Sequence, residues 1–122
     1  MDKLYFAKTE EWFLTDGKKG KVGLTDFAQN ELGDLVFVEM PAVGTKVTGG
    51  KPLCNVESVK AVSEVYSPCC GTIVAINEDV EASPGKINES PMEAWIVEIE
   101  VEKLSEGLMD QQAYDAAPRK QR

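Results

Sequence analysis

The 122-residue sequence predicts a mainly β fold, a sandwich of two small antiparallel sheets. Three features predict it. Short alternating or β-branched stretches recur along the chain, separated by Gly, Pro, Asn and Asp. Two segments, LGDLVFVEMPAVGTKV and VYSPCCGTIVAINEDV, share a plan of strand, glycine-centred turn and strand, which suggests quasi-symmetric sheets with Lys60 at the tip of the hairpin linking them. The length and a 43% apolar fraction fit one core, so residues 1–122 form a single domain, its body at about 4–116 and a frayed tail at 117–122.

In chain order, LYFA opens as a strand. EWFLTDGKKGKVGLT follows as a hairpin whose turn is marked by Asp16-Gly17 and Gly20. Thr25 caps a short helix, with Asp26 in its first turn and Gly33 at its end. DLVFVEM alternates through Leu35 and Phe37 as a strand closed by Pro41. AVGTKVTGGKP is a glycine-rich loop, and PLCNVESV and AVSEVYS are strands of comparable length on either side of Lys60. A strand around Thr72 to Ile76 leads into a turn. AWIVEIEVEK places Trp95, Val97 and Ile99 inward against Glu98 and Glu100. Ser105 caps a terminal helix, EGLMDQQAYDAA, edged by Leu108, Met109, Ala113 and Tyr114, stopped by Pro118 and followed by the basic tail RKQR.

The chain holds 21 acidic and 13 basic residues, a net charge of −8, which disfavours nucleic acid and anionic membrane surfaces. No apolar run approaches the roughly 18 residues of a membrane span. The N-terminus lacks a secretory pattern and is too acidic for a transit peptide, so the chain reads as intracellular or as an already trimmed mature form. With no histidine there is no imidazole base and no histidine metal ligand. Cys54, Cys69 and Cys70 fit neither a zinc pattern nor a C-x-x-C pair and read as structural thiols. An enzyme with its own acid–base machinery is not expected, nor is a metal.

Lys60 stands apart. On position alone it is a solubilising lysine at a hairpin tip. Yet the tip reads SVKAV, with two valines and an alanine where Gly, Asn, Asp or Pro would make the turn. A tip that accepts poor turn chemistry serves something outside the fold. Covalent attachment of a carrier group fits, since the lysine stem plus an acyl chain of similar length makes an arm on the order of a dozen Å.

VESVKAVSEVYSP resembles the lipoyl-attachment motif of the glycine cleavage H-protein family, and VGLTDFAQNELGDLVFVEMPAVG resembles the segment preceding it there. EWF and INESPMEAW fit the same template, so the resemblance spans about Leu4 to Ala116. It implies a barrel-sandwich hybrid of two antiparallel sheets, of the lipoyl- and biotinyl-carrier type, with a short internal helix and a C-terminal helix. It also implies a non-catalytic carrier with lipoate on Lys60. Its partners would be a pyridoxal-phosphate glycine decarboxylase that loads an aminomethyl group, a tetrahydrofolate-dependent aminomethyltransferase, and dihydrolipoamide dehydrogenase, which takes the electrons. A lipoate ligase or a lipoyl or octanoyl transferase would modify the lysine.

By the same resemblance, the loaded arm folds into a cleft that holds the amine as ammonium, and its polar contacts here would be Thr9, Glu11 and Glu64. Glu57, Ser58, Val59 and Ala61 would serve recognition by the lipoylating enzyme. Trp12 and Trp95 alternate with apolar neighbours and read as core. The compartment would be the cytoplasm in a bacterium or the mitochondrial matrix for a trimmed eukaryotic form.

The chain departs from the family pattern at Glu10, where histidine is usual, at Ala94, where a glycine is usual before the tryptophan, and at the cysteines of PCCG. A glycine at 94 would allow a positive φ, which alanine resists. A lipoyl domain of a 2-oxoacid dehydrogenase would carry an aspartate where Val59 stands. A biotin carrier would flank its lysine with methionines. The alternative within the family is a relay that hands lipoate to 2-oxoacid dehydrogenase subunits, and the least specific reading is an unmodified interaction module.

Overall fold

The computed structural model describes residues 2–118; the basic tail at 119–122 lies outside them. The elements run β1 (Lys3–Phe6), β2 (Glu11–Thr15), β3 (Lys19–Leu24), α1 (Asp26–Leu32), β4 (Leu35–Glu39), β5 (Lys46–Val47), β6 (Pro52–Ser58), β7 (Val62–Tyr66), β8 (Cys69–Ile76), α2 (Glu78–Ala82), α3 (Lys86–Glu89), β9 (Val97–Leu104) and α4 (Gln111–Ala116). A six-stranded sheet in the order β1-β2-β3-β9-β8-β5 faces a three-stranded sheet β4-β6-β7. Every pairing is antiparallel. The sheets are therefore a sandwich, as expected, but an unequal one. The Lys60 hairpin, β6–β7, lies within the smaller sheet and does not link the two.

Alternation along β2 sets up both faces of the large sheet. Phe13 points into the sandwich, where it joins Val22, Val56, Val65, Ile73, Val97 and Ile99 in the main core. Trp12 points the other way into a second cluster with Phe6 and Tyr114, and its indole N–H donates to the Pro91 carbonyl at 2.9 Å. Trp95 is only half-buried at the edge of that cluster, with the Lys21 ammonium 4.9 Å from its ring centre, so Ile96 and not Trp95 continues the inward face.

Gly20 is not a turn residue. The turn is Asp16–Lys18, its carboxylate accepting the N–H groups of Lys18 and Lys19 at 2.8 and 3.0 Å, while Gly20 pairs with Thr15 inside β3. A Cβ there would lie 2.4 Å from the Phe13 ring, and one on Gly23 would lie 2.4 Å from the Trp12 ring. These two glycines clear space for the aromatic rings of the neighbouring strand.

Helix α1 follows its caps. Thr25 accepts the Ala28 N–H at 3.2 Å, and Gly33 ends the helix at φ +79°. In β4 a bulge between Leu35 and Phe37 breaks the expected alternation: Leu35 and Val38 are buried, and Phe37 is exposed. The loop before β6 holds the two-residue strand β5, and the turn after β8 holds α2 and α3, which bury Val80 and Ile87. The terminal helix begins later than Ser105 suggests. Gly107 has φ +81° in a turn with Glu106, and Phe6 and Met109 then exchange backbone hydrogen bonds at 2.7 and 2.8 Å, so the helix starts only where Asp110 caps α4. Of the expected apolar edge, Tyr114 is the buried member of α4, and Met109 packs from the strand-like segment before it. No helix among the described residues is long and apolar enough to cross a membrane.

Candidate functional site

Lys60 sits at the exposed tip of the β6–β7 hairpin. The turn is made by Ser58, which is buried: its hydroxyl accepts the N–H groups of Lys60 and Ala61 at 3.3 and 3.1 Å, and its own N–H meets the Ala61 carbonyl at 2.8 Å. The turn chemistry missing from SVKAV is thus supplied by the serine at its start. That frees Val59, Lys60 and Ala61 to be exposed. The Val59 N–H donates to the Asp34 carbonyl at 3.0 Å, fastening the tip to the segment between α1 and β4. The Lys60 stem lies over that segment, its Cε 3.6 Å from where a Gly33 Cβ would stand.

A cleft of about 230 Å³ lies between α1, β2 and β7, lined by Thr9, Glu10, Glu11, Leu24, Phe27, Ala28, Glu31, Leu32, Ser63 and Glu64. The three residues expected at the cleft, Thr9, Glu11 and Glu64, therefore come together. Their environments differ. Glu11 is buried because it shares the inward face of β2 with Phe13. Its carboxylate accepts the Thr9 hydroxyl on one oxygen and the Tyr66 N–H, at 3.1 Å, on the other. Burial raises its pKa above the usual glutamate value, and the hydrogen bonds from Thr9 and Tyr66 oppose the rise. Glu64 is exposed on β7 and accepts the Tyr66 hydroxyl at 3.1 Å, which holds the Tyr66 phenol proton more tightly than usual.

Glu10, the departure next to Glu11, is the one non-glycine at positive φ (+74°) among the described residues. Its carboxylate accepts the Thr25 hydroxyl at 2.7 Å and the Tyr114 hydroxyl, so it ties α4 to the cap of α1 beside the cleft. Ala94 lies outside the positive-φ region and is buried, its N–H bonded to the Ser90 carbonyl at 2.9 Å. The strain that an alanine there would suffer does not arise.

Around the tip, Val36, Phe37, Val59 and Val62 are exposed, and Phe37, Glu57 and Val62 stand side by side across the outer face of the small sheet. Sequence reasoning missed Tyr66, whose place two residues after Glu64 on the same strand face was a usable signal. It also missed the wall formed by Phe27, Ala28 and Leu32 of α1, for which no local signal separates cleft from core.

The arrangement suits a short acyl arm. Helix rise puts Ala28 within about 8 Å of Gly33 along α1, inside the reach of an arm on the order of a dozen Å rooted at Lys60. Apolar side chains and carboxylates both line the cleft beside it.

The family model described as glycine cleavage H-protein matches residues 4–121. The glycine cleavage system H protein of Geobacillus thermodenitrificans is 52% identical over 105 residues, covering 85% of this chain and 83% of that protein. The one from Acidobacterium capsulatum is 50% identical over 113 residues, covering 91% and 88%. The crystal structure of a glycine cleavage system H protein from Mycobacterium marinum superposes with a TM-score of 0.85 at 31% identity, covering 92% of this chain and 93% of that one. On sequence and fold together, the chain belongs to the glycine cleavage H-protein family.

Proposed function

We propose that this chain is a single-domain, non-catalytic carrier of the glycine cleavage system, lipoylated on Lys60. The observation that carries the reading is the position of Lys60, exposed on a serine-built turn with its stem directed over Gly33 at the end of the α1 wall. The lipoyl group, once attached, supplies a reducible disulfide that can carry a one-carbon amine and two electrons. The chain's own residues do the rest. Ser58 shapes the tip for a lipoate ligase or transferase, with Glu57, Val59 and Ala61 on the surface such an enzyme grips. Leu24, Phe27, Ala28 and Leu32 exclude water from the cleft. Glu11 and Glu64 give it a negative lining suited to an ammonium, and Thr9 orients Glu11.

The expected partners are glycine decarboxylase, aminomethyltransferase and dihydrolipoamide dehydrogenase. Each must take the same exposed tip, so the apolar rim of Phe37, Val59 and Val62 is the shared contact. The test is the intact mass of the protein from cells supplied with lipoate, followed by peptide mapping. One lipoyl unit on Lys60, absent from Lys60→Ala, supports the reading. An unmodified mass in the presence of a competent ligase overturns it.

A further inference from the structure

We infer that Asn88 is a positioning residue for the lysine hairpin, which it holds in place without touching it. This rests on the reading of Lys60 as the attachment site. Asn88 lies on α3, 53 residues from Leu35 in sequence, and its side-chain carbonyl accepts the Leu35 N–H at 2.9 Å. Its amide nitrogen donates to the Gly33 carbonyl and to the Gln29 side-chain oxygen, both at 2.9 Å. One side chain therefore grips the backbone on both sides of Asp34. The carbonyl of Asp34 in turn accepts the Val59 N–H at 3.0 Å, next to Lys60. The orientation of the amide is fixed by its partners: the Gly33 carbonyl needs a donor and the Leu35 N–H needs an acceptor.

The clamp is needed because of what it holds. Gly33 has φ +79° and ψ −161°, a conformation open almost only to glycine and the freest point of the segment. The β4–β6 ladder is also irregular here, with a register shift between Leu35 and Phe37. Neither the helix nor the ladder fixes Asp34, so the Asn88 amide does. Gln29 is itself steadied by a hydrogen bond from its amide to Asp26 at 2.8 Å. Loss of the clamp frees Asp34, then Val59, and the tip spends less time in the shape a modifying enzyme accepts. Apparent affinity falls by the fraction of competent tip.

The test uses the full apo chain as substrate for a lipoate ligase with ATP and lipoate, and native amide exchange on the same samples. In Asn88→Ala the KM for the apo chain rises about fivefold with kcat nearly unchanged. The Val59 amide exchanges roughly tenfold faster, while the Val97 and Ile99 amides in the large sheet keep their protection. Asn88→Asp keeps the acceptor for Leu35 and the volume but sets a carboxylate oxygen against the Gly33 carbonyl. It folds and shows the same two changes, so the test survives if the alanine variant does not fold. Glu89→Gln, on the exposed side of the same helix, changes neither quantity. Unchanged KM and unchanged Val59 exchange in a folded Asn88 variant overturn the inference. So does a uniform loss of protection across the large sheet. Exchange at Val59 needs no lipoate, so failure of the attachment reading, seen as an unmodified wild-type chain, is distinguishable from failure of the clamp.

Discussion

The Glu11 carboxylate on β2 accepts the Tyr66 N–H on β7 at 3.1 Å, a hydrogen bond that crosses from the large sheet to the small one. Because burial raises the Glu11 pKa above 4.5, the folded protein binds this proton more tightly than the unfolded chain does. The stability it contributes is fully present below the unfolded value and is lost as pH climbs through the raised folded value. Glu11→Gln has no such proton. Its amide can donate to the Thr9 hydroxyl while its oxygen keeps the Tyr66 N–H, so stability at neutral pH should change by less than about 1 kcal/mol. The decline with rising pH should flatten. Glu11→Ala leaves the Tyr66 N–H without its acceptor and should cost about 1–3 kcal/mol. Urea midpoints measured from about pH 4 to 8 check both; an unaltered pH slope in the glutamine variant would falsify the assignment to Glu11.

Glu10 combines a strained backbone with two side-chain bonds, and the two effects can be separated. Positive φ costs a non-glycine residue roughly 1 kcal/mol, which glycine does not incur. The bonds to the Thr25 and Tyr114 hydroxyls work in the opposite direction. Glu10→Ala keeps the strain and loses the bonds, for an expected loss of about 2 kcal/mol. Glu10→Gly loses the bonds but relieves the strain, so it should be the more stable of the pair by about 1 kcal/mol. Equal urea midpoints for the two variants would show that the backbone stores nothing there.

Tyr114 anchors α4 by stacking on Phe6, with ring centres 4.2 Å apart and planes 14° from parallel, and by donating to Glu10. Tyr114→Phe retains the stack and should cost about 1 kcal/mol. Tyr114→Ala opens the second cluster and should cost about 3 kcal/mol or more. A calorimetric melt of the two variants separates ring from hydroxyl. Matching losses would mean that packing against Phe6 contributes little.

What could be read from the sequence was local. The Asp16-Gly17 turn, the Thr25 and Gly33 caps and the alternation of Val97 and Ile99 each depend on residues a few positions apart, and each appears where expected. The lysine motif was local too. Features decided by distant partners were hidden. Helices α2 and α3 are five and four residues long, too short for a periodic pattern, and are held by burial of Val80 and Ile87. The true cap of α4 depends on Met109 pairing with Phe6, about a hundred residues earlier in the chain. Glu11 was placed at the cleft by family resemblance alone, and nothing in its neighbours signalled that it would be buried between the sheets. Glu10 drew notice only as a departure from the family, and nothing in its neighbours signalled a positive φ.

Gly71 lies in β8 at a register shift, and a Cβ on it would stand 2.1 Å from the Glu100 carbonyl oxygen and 2.8 Å from the Ile99 side chain. The obstacle is backbone of the adjoining strand, which cannot rotate away as a side chain can. Gly71→Ala should therefore force β8 and β9 apart and cost about 3 kcal/mol or more, at the upper end for overpacking. Gly85 has open space around its Cβ position, so Gly85→Ala should stay within about 0.5 kcal/mol of the parent. Thermal melts of both decide it. Near-parental stability in the Gly71 variant would mean that β8 pairs with β9 differently.

The three thiols should react in a fixed order. Burial pushes the Cys54 thiol up to about 12, helped by the charges of Glu11 and Glu39; burial does the same at Cys69, with Cys70 beside it. At pH 8 each is then thiolate to only about one part in ten thousand, and neither can be approached in the folded state. Cys70 is half-buried at the surface of β8, its sulfur accepting the Gly49 N–H at 3.4 Å. Iodoacetamide at about pH 8 should add one carbamidomethyl group to the native protein, on Cys70, and three once urea has unfolded it. Mass spectrometry with peptide mapping reads both states. Labelling of Cys54 at the rate of Cys70 would mean that the space between the sheets opens to reagent, and Glu11, whose charge acts on that thiol, could not be buried as described.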